Sequence, residues 1–328
     1  MLQLRVRSAT GFSEAAAEAA LWRDRSLVKL WAQRSTLHLV PREDLGLLLA
    51  MRRLRVGNYH NWYESEGLSP AQVEALVAAV AETLALHGPH SRMDLSRRLV
   101  PTLGEWARPW LEHSWGGVIK LACALGHVCH GPAVEGEERE AKFVHLPGWA
   151  GDVEAAEPRA AMAEILRRYL AAYGPAAPAD FRKFVGLYAE PVRDAFADLA
   201  AELLPVDLAG RPAFALARDE EALRTAEHAE GAIAVTPLFD PYLLAHNDTG
   251  QYLADRFRPA VYRTAGWISP VVLRQGRVVA TWTHKRTPRG WEVEITPLER
   301  VYKKELPAIT RKLRLLAGGE KVEVRLAG

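Results

Sequence analysis

The chain of 328 residues contains only two cysteines and four methionines, and no apolar run reaches the roughly 18 residues of a membrane-spanning helix. A spanning helix is therefore excluded, and the first residues carry neither the charged head nor the cleavage site of a signal peptide, so a cytoplasmic location is expected. Cys123 and Cys129 stand six apart around Gly126 with no third or fourth partner, which excludes a disulfide scaffold and a structural zinc site. Buried free thiols are expected. His127 and His130 lack a nearby carboxylate, so no metal is expected. The absence of a phosphate-cradling glycine loop and of a nucleophile elbow leaves no cofactor to expect.

What is present is charge, and it is segregated. The net charge is +2, but Lys and Arg number 11 against 21 Asp and Glu in residues 133–250, and 16 against 7 in residues 251–328. Residues 20–60 form a second basic block, eight against three. Positive charge gathered in this way is suited to a polyanion.

Met1–Arg7 alternates like a strand. Ser13 caps a helix from Glu14 to about Trp22. The stretch Arg25–Leu45 then reads as an amphipathic helix with Leu27, Leu30 and Trp31 on one face, a strand Thr36–Val40 and a new helix opened by Pro41. Arg34, Ser35, Thr36 and His38 fall at the junction, where a winged-helix unit would face DNA. The first helix of that unit would have to lie upstream of Met1. Ser69, Pro70 and Gln72 open a helix to His87 that stops at Gly88. Helices near Ser91–Leu99 and Trp106–Leu125 follow. The strands Val128–Cys129 and Lys142–Leu146 flank a polar, Glu-rich loop.

The chain also repeats itself. Leu84–Val100 aligns without gaps to Leu170–Gly186, with Gly-Pro, Asp94 and Asp180, and the apolar positions all in register. Glu157–Tyr173, Pro178–Val185 and Pro191–Leu203 give three further helices, with Leu204–Leu208 and Ala213–Leu216 as a wing across Gly210. After an acidic helix near Asp219–His228 come the strand Ile233–Thr236, a hairpin of Val271–Leu273 and Val278–Trp282 over Gln275-Gly276, and the strand Trp291–Ile295. A basic helix Lys303–Leu316 and a strand Val322–Leu326 close the chain. The expected class is α+β: tandem winged-helix units followed by a small β-rich C-terminal module. The expected boundaries are 1–68 for a partial first unit, 69–150 for the second, 151–218 for the third and 219–328 for the module.

Four stretches carry a family resemblance: Arg34-Ser-Thr-Leu-His-Leu-Val, Gly126-His-Val-Cys-His-Gly-Pro, Tyr173-Gly-Pro-Ala-Ala-Pro-Ala-Asp-Phe, and Phe239-Asp-Pro-Tyr-Leu-Leu followed by Gly276-Arg-Val-Val-Ala-Thr-Trp. In this order and spacing the chain resembles the AlkZ-like (YcaQ-type) DNA glycosylase family over essentially its whole length. The resemblance implies three tandem winged helices with a basic, concave surface for double-stranded DNA, and hydrolysis of the N-glycosidic bond of alkylated purines, in some members including crosslinks. A monomer is expected.

The family's catalysis is attributed to a Gln-Φ-Gln or Gln-Φ-Asp motif, whose second polar residue positions or activates water. Gln3-Leu4-Arg5 matches its first two letters but ends in a cation, which would oppose an oxocarbenium-like centre. It also sits too close to Arg7. The family's motif precedes the segment matching Leu4–Arg7, so it is expected upstream of Met1, and the chain is expected to bind DNA without releasing alkylated bases. A non-catalytic DNA-binding regulator is the alternative. Asp240 and Asp248 are the candidate substitutes for the missing base, each with a structural reading as a turn residue, and Asp44 has a similar one at a helix start. Within the loop Asn247–Tyr262, Arg256 and Arg258 are candidates to probe the duplex. Arg34, Arg274, Arg277, His284, Lys285 and Arg286 are the leading phosphate contacts.

Six such contacts give a measurable signature. Affinity for a duplex should fall roughly a thousandfold between about 50 and 200 mM salt, with little dependence on sequence. A titration by fluorescence anisotropy that stays flat over this range would refute the assignment.

Overall fold

The computed structural model describes residues 2–8, 13–114, 116–134, 140–227 and 231–327. The Glu-rich loop at 135–139 and the end of the expected acidic helix at His228 lie outside them. The architecture is mixed α+β, and the chain divides into two compact units. One comprises residues 15–169 and 185–201; the other comprises 1–14, 170–184 and 202–328, so the expected third module is shared between them.

The first of these units opens with a correction. Residues Leu27–Trp31 form a strand, β1, not a helix, and pair antiparallel with β2, Leu37–Pro41, placing Val28 opposite Val40 and Leu30 opposite His38. Leu27, Leu30 and Trp31 satisfy a helical spacing, but Val28 and Leu30 are the buried residues, so the period is two. Pairing with the neighbouring strand overrides the local pattern.

The turn between them, Ala32–Thr36, holds Arg34 and Ser35 at φ of 55° and 57°. Helices Leu45–Arg53 and Val56–Ser65 follow. The next helix, Pro70–His87, starts where its capping signals place it, with Ser69 and Gln72 bonding reciprocally. The two-residue strand β3, His90–Ser91, runs into the helix Arg92–Leu103, whose capping box joins Ser91 and Asp94. The expected helix Trp106–Leu125 is divided: Arg108–Leu111 and Gly117–Ala124 are separate helices, with Gly116 left-handed at φ 101° between them.

Strands β4, Val128–His130, and β5, Lys142–His145, complete a three-stranded sheet in the order β3-β5-β4. Leu76, Val80, Leu95, Leu111, Val118 and Leu121 form the core between these helices. Both cysteines are free and buried, and burial pushes the Cys123 thiol up to about 12.

In the other unit one half of the Ser91–Asp94 box recurs 86 residues further on, Ala177 having no hydroxyl to accept the second bond. Asp180 accepts from the Ala177 amide at 2.9 Å, as Asp94 accepts from Ser91, and Ala176 bridges Phe214 as His90 pairs with Phe143. The repeat seen in the letters is thus a repeat of bonds. Its third partners differ: Asp94 takes the ammonium of the buried Lys142 at 2.9 Å, whereas Asp180 takes the amides of Asn247 at 2.6 Å and Asp248 at 3.3 Å.

Here β6, Leu203–Asp207, and β7, Pro212–Leu216, form a hairpin. The remaining strands are β8 (Ile233–Thr236), β9 (Val271–Arg274), β10 (Arg277–Thr287), β11 (Gly290–Pro297) and β12 (Val322–Leu326). They make one sheet in the order β12-β11-β10-β9-β8, antiparallel except between β11 and β12.

The sheet is buried on both faces at β9, which explains the unbroken apolar run of that strand. Val272 joins Trp282, Val293 and helix Leu306–Leu316 in one core, and Val271 and Leu273 join Leu243, Tyr252 and Val261 in another. The N-terminal segment corrects a second expectation: Leu2–Arg5 is helical, continued by a bond from the Val6 amide to the Leu2 carbonyl at 3.1 Å. Four residues cannot discriminate the two periods, and packing decides: Leu2 and Val6, four apart, both rest against the core of Trp282 and Val293.

Replacing Asp94 with Ala removes a cap and the principal carboxylate of a buried ammonium, and should cost about 3 kcal/mol in urea unfolding. Burial acts to raise the Asp94 pKa, but the hydrogen bonds from Lys142 and Ser91 outweigh it and hold the group well below the usual carboxylate range. A depressed folded pKa stabilises above the unfolded value, so this contribution should be complete at neutral pH and decline from about pH 4 downward. The variant should lack that part of the acid sensitivity; an unchanged acid limb would contradict the assignment.

Candidate functional site

The N-terminal helix presents two different faces to two different partners. Gln3 and Arg7 are four residues apart and lie together, while Arg5 is turned away. The Gln3 carboxamide nitrogen donates to the carbonyls of Leu238 at 2.9 Å and Phe239 at 3.2 Å. Its Oε1 accepts no hydrogen bond among the described residues. Arg7 reaches the next residue along, donating from both terminal nitrogens to Asp240 at 2.9 and 2.7 Å. Arg5 donates instead to the Leu316 carbonyl at 2.8 Å, at the C-terminus of helix Leu306–Leu316, where a cation also meets the negative end of the helix dipole. Glu14 lies 3.5 Å from it. A strand would have set Gln3 and Arg5 on one face; the helix separates them.

Asp240 is fully buried. One carboxylate oxygen accepts from the Tyr242 amide at 3.0 Å, capping the helix Pro241–Leu244, and both accept from Arg7. The Arg7 guanidinium is held above its usual range, first by this hydrogen bond, against a smaller opposing effect of burial. Asp240 is thereby committed to structure. Asp248 is half-exposed, pairs with Arg211 at 2.6 Å and accepts from the Gly250 amide at 2.7 Å.

Between Thr236 and Asp240 the backbone rises to the surface. Leu238 and Phe239 are exposed, and Phe239 has φ 55°, a conformation that costs a residue with a side chain on the order of 1 kcal/mol. The neighbouring loop is closed by a bridge between Tyr262 and Ile268, and turns at Thr264–Gly266 with Ala265 at φ 56°. It brings Trp267 against Phe239, ring centres 5.2 Å apart and planes tilted by 39°.

Of the residues singled out from sequence, one group gathers on the β1–β2 turn. The Ser35 hydroxyl lies 2.6 Å from the Tyr59 hydroxyl, the Thr36 hydroxyl donates to Gln33, and His38 donates from Nδ1 to the Thr36 carbonyl at 2.8 Å. Burial, and the charges of Arg34 and Arg52, hold the His38 pKa below its ordinary value against the opposing effect of that carbonyl. Arg34 sits at the turn itself, where a side chain on Gly186 would come within 3.1 Å of it.

A second group lies on the exposed far part of β10: His284 stacks on Trp291 at 4.0 Å, Lys285 stands opposite Glu292, and Arg286 pairs with Glu320 at 2.7 Å. Arg274 and Arg277 flank the Gln275-Gly276 turn. Arg274 is neutralised by Glu305 at 2.7 Å, and Arg277 donates to the Gln251 carbonyl at 3.0 Å. Arg256 lies over Phe257; Arg258 lies over Tyr262 and donates to Thr249.

Sequence reasoning missed Arg7, Arg52, Phe239 and Trp267 as members of a site. Arg52 is buried, bonded to Tyr59 and Ser35, and pairs with no carboxylate among the described residues. It follows Leu45, Leu48 and Leu49 on the apolar face of its helix, which is the signal that could have found it. Nothing local marks the partnership of Arg7 with Asp240.

Replacing Arg7 with Met strands a buried carboxylate and should cost about 3 kcal/mol, measured by urea unfolding. Combining it with Asp240→Asn should recover part of the loss, since the charge needing neutralisation is gone. Strict additivity of the two changes would contradict the pairing.

A family model described as DNA glycosylase AlkZ-like matches residues 1–318. An interstrand DNA cross-link repair glycosylase of Streptomyces sahachiroi is 34% identical over 269 residues, spanning 79% of this chain and 71% of the relative. The structure of Streptomyces sahachiroi DNA glycosylase AlkZ superposes with a TM-score of 0.86 at 31% identity, covering 99% of this chain and 88% of that one. A match over nearly the whole length, in sequence and in fold, shows that this chain belongs to the AlkZ-like DNA glycosylase family.

Proposed function

We propose that this protein is a monomeric DNA-repair glycosylase that binds double-stranded DNA and hydrolyses the N-glycosidic bond of alkylated purines. Support for tandem winged helices comes from the repeated order of helix, a β-paired residue, further helices and a hairpin, with the carboxylates of Asp94 and Asp180 accepting from the amides of Ser91 and Ala177 at equivalent places. The β1–β2 turn with Arg34, Ser35, Thr36 and His38 is the proposed backbone contact of one unit. Arg277, His284, Lys285 and Arg286 along β10 serve the other.

The observation that carries the chemical reading is the Gln3 carboxamide. Both of its carbonyl contacts engage the nitrogen, which fixes the amide and leaves Oε1 as an acceptor. In hydrolysis, water oxygen forms a bond to the anomeric carbon as the bond to the purine nitrogen breaks, and the leaving base keeps the electron pair. A purine alkylated at N7 is already cationic and leaves as a neutral base. Gln3 accepts a hydrogen bond from the attacking water and orients it; a neutral amide takes no proton, which passes to solvent. The cation of Arg5 does not oppose the developing positive charge, because it is directed to the Leu316 carbonyl.

Gln3-Leu4-Arg5 carries a cation in place of the second polar residue of a Gln-Φ-Gln or Gln-Φ-Asp motif, and this favours a second reading, a DNA-binding protein without the chemistry. One assay separates them. Duplex containing N7-methylguanine is incubated with the protein and abasic sites are cleaved with alkali. Release above the spontaneous rate, reduced about 100-fold by Gln3→Ala and unaffected by Asp248→Asn, is expected for a water-orienting amide. Binding with no release beyond the spontaneous rate would establish the second reading.

A further inference from the structure

The chain exposes Leu238, Phe239 and Trp267 at 39, 38 and 48% of their surface, and the two rings are in contact. They occupy a rim whose backbone is left-handed at two side-chain-bearing residues, Phe239 and Ala265. Folding gains little from such an arrangement: apolar surface stays in water, and φ values that favour glycine are filled otherwise. Arg263, in the same loop as Trp267, is exposed and makes no ion pair among the described residues, while Arg7 and the buried carboxylate of Asp240 neutralise each other. The rings are tilted against each other by 39°, and both residues keep more than a third of their surface exposed.

We propose that Phe239 and Trp267 form a stacking platform for one unpaired nucleobase of damaged DNA. This rests on the reading of the protein as a DNA-repair glycosylase and adds how it recognises a disrupted base pair. Aromatic faces with a cation, Arg263, in the same loop suit a base carrying its phosphate, and stacking is indifferent to base identity. The carbonyl of Phe239 itself accepts from Gln3, so a base on the platform lies beside the amide assigned to the chemistry. Extruding a base exposes its glycosidic bond and costs stacking inside the duplex; the platform returns part of that cost.

The test uses the full chain and two duplexes of one sequence, one intact and one with a central abasic analogue opposite 2-aminopurine. The wild type should bind the abasic duplex more tightly and quench 2-aminopurine fluorescence. Trp267→Ala and Phe239→Ala should each lose roughly tenfold in affinity for the abasic duplex and most of the quenching, with intact-duplex affinity within about twofold of wild type. Trp267→Phe should retain most of both. Phe239→Gly should melt at or above Phe239→Ala, because glycine accepts φ 55°, yet bind the abasic duplex no better. Unchanged quenching and affinity in both alanine variants would overturn the proposal, as would equal losses on the two duplexes. Absence of wild-type binding to either DNA would overturn the underlying DNA-binding reading with it.

Discussion

A carboxylate with no access to water must be neutralised where it stands, and in this protein that requirement falls on Asp240. Three donors meet it: two from Arg7 and one from the backbone of Tyr242. Each ties down something different. The guanidinium fixes the short N-terminal helix, the amide starts the helix Pro241–Leu244, and the carboxylate between them sets the path of Leu238 and Phe239. The Gln3 bonds to those carbonyls and the exposure of the aromatic pair are downstream of this one desolvated charge. A hydrophobic residue at 240 would fill the volume but would hold no helix to the sheet.

The same economy of charge shapes the electrostatics of the whole chain. Several cations that look available in the letters are occupied: Arg274 by Glu305, Arg286 by Glu320, Arg5 by a helix C-terminus. Arg52 is the opposite case, a buried cation without a carboxylate among the described residues, whose field lowers the pKa values of both His38 and Lys120, after the larger effect of burial. The positive potential of the β1–β2 turn therefore comes partly from beneath it, and a count of surface residues understates it.

How much of this was legible depended on how local the determinant was. The capping box at Ser69, the helix start near Ser91, the glycine stop at Gly88 and the hairpin over Gln275-Gly276 are written within a few residues of where they act. They appear in the structure at the expected places. The two misread elements, Leu2–Arg5 and Leu27–Trp31, are short stretches whose apolar residues satisfy both periods; distant packing chose between them. The first of these sets the surroundings of Gln3, since a strand places Arg5 beside it and a helix does not. The candidate site joins residues 3 and 7 to 238–240 and 267, and no periodicity or spacing connects positions so far apart.

That separation bears on how the molecule is made. The contacts that define the capping boxes close loops of three residues and can form as soon as the segment leaves the ribosome. Arg7 and Asp240 are 233 positions apart, so the N-terminal helix emerges long before the carboxylate that will seat it exists. Leu2 and Val6, which end against the core of Trp282 and Val293, remain uncovered until that core is made. The contacts at Asp240 thus form only after more than 200 further residues have followed the N-terminal helix, and a chain stalled before residue 240 would carry all of residues 15–169 and 185–201 with that helix still unseated.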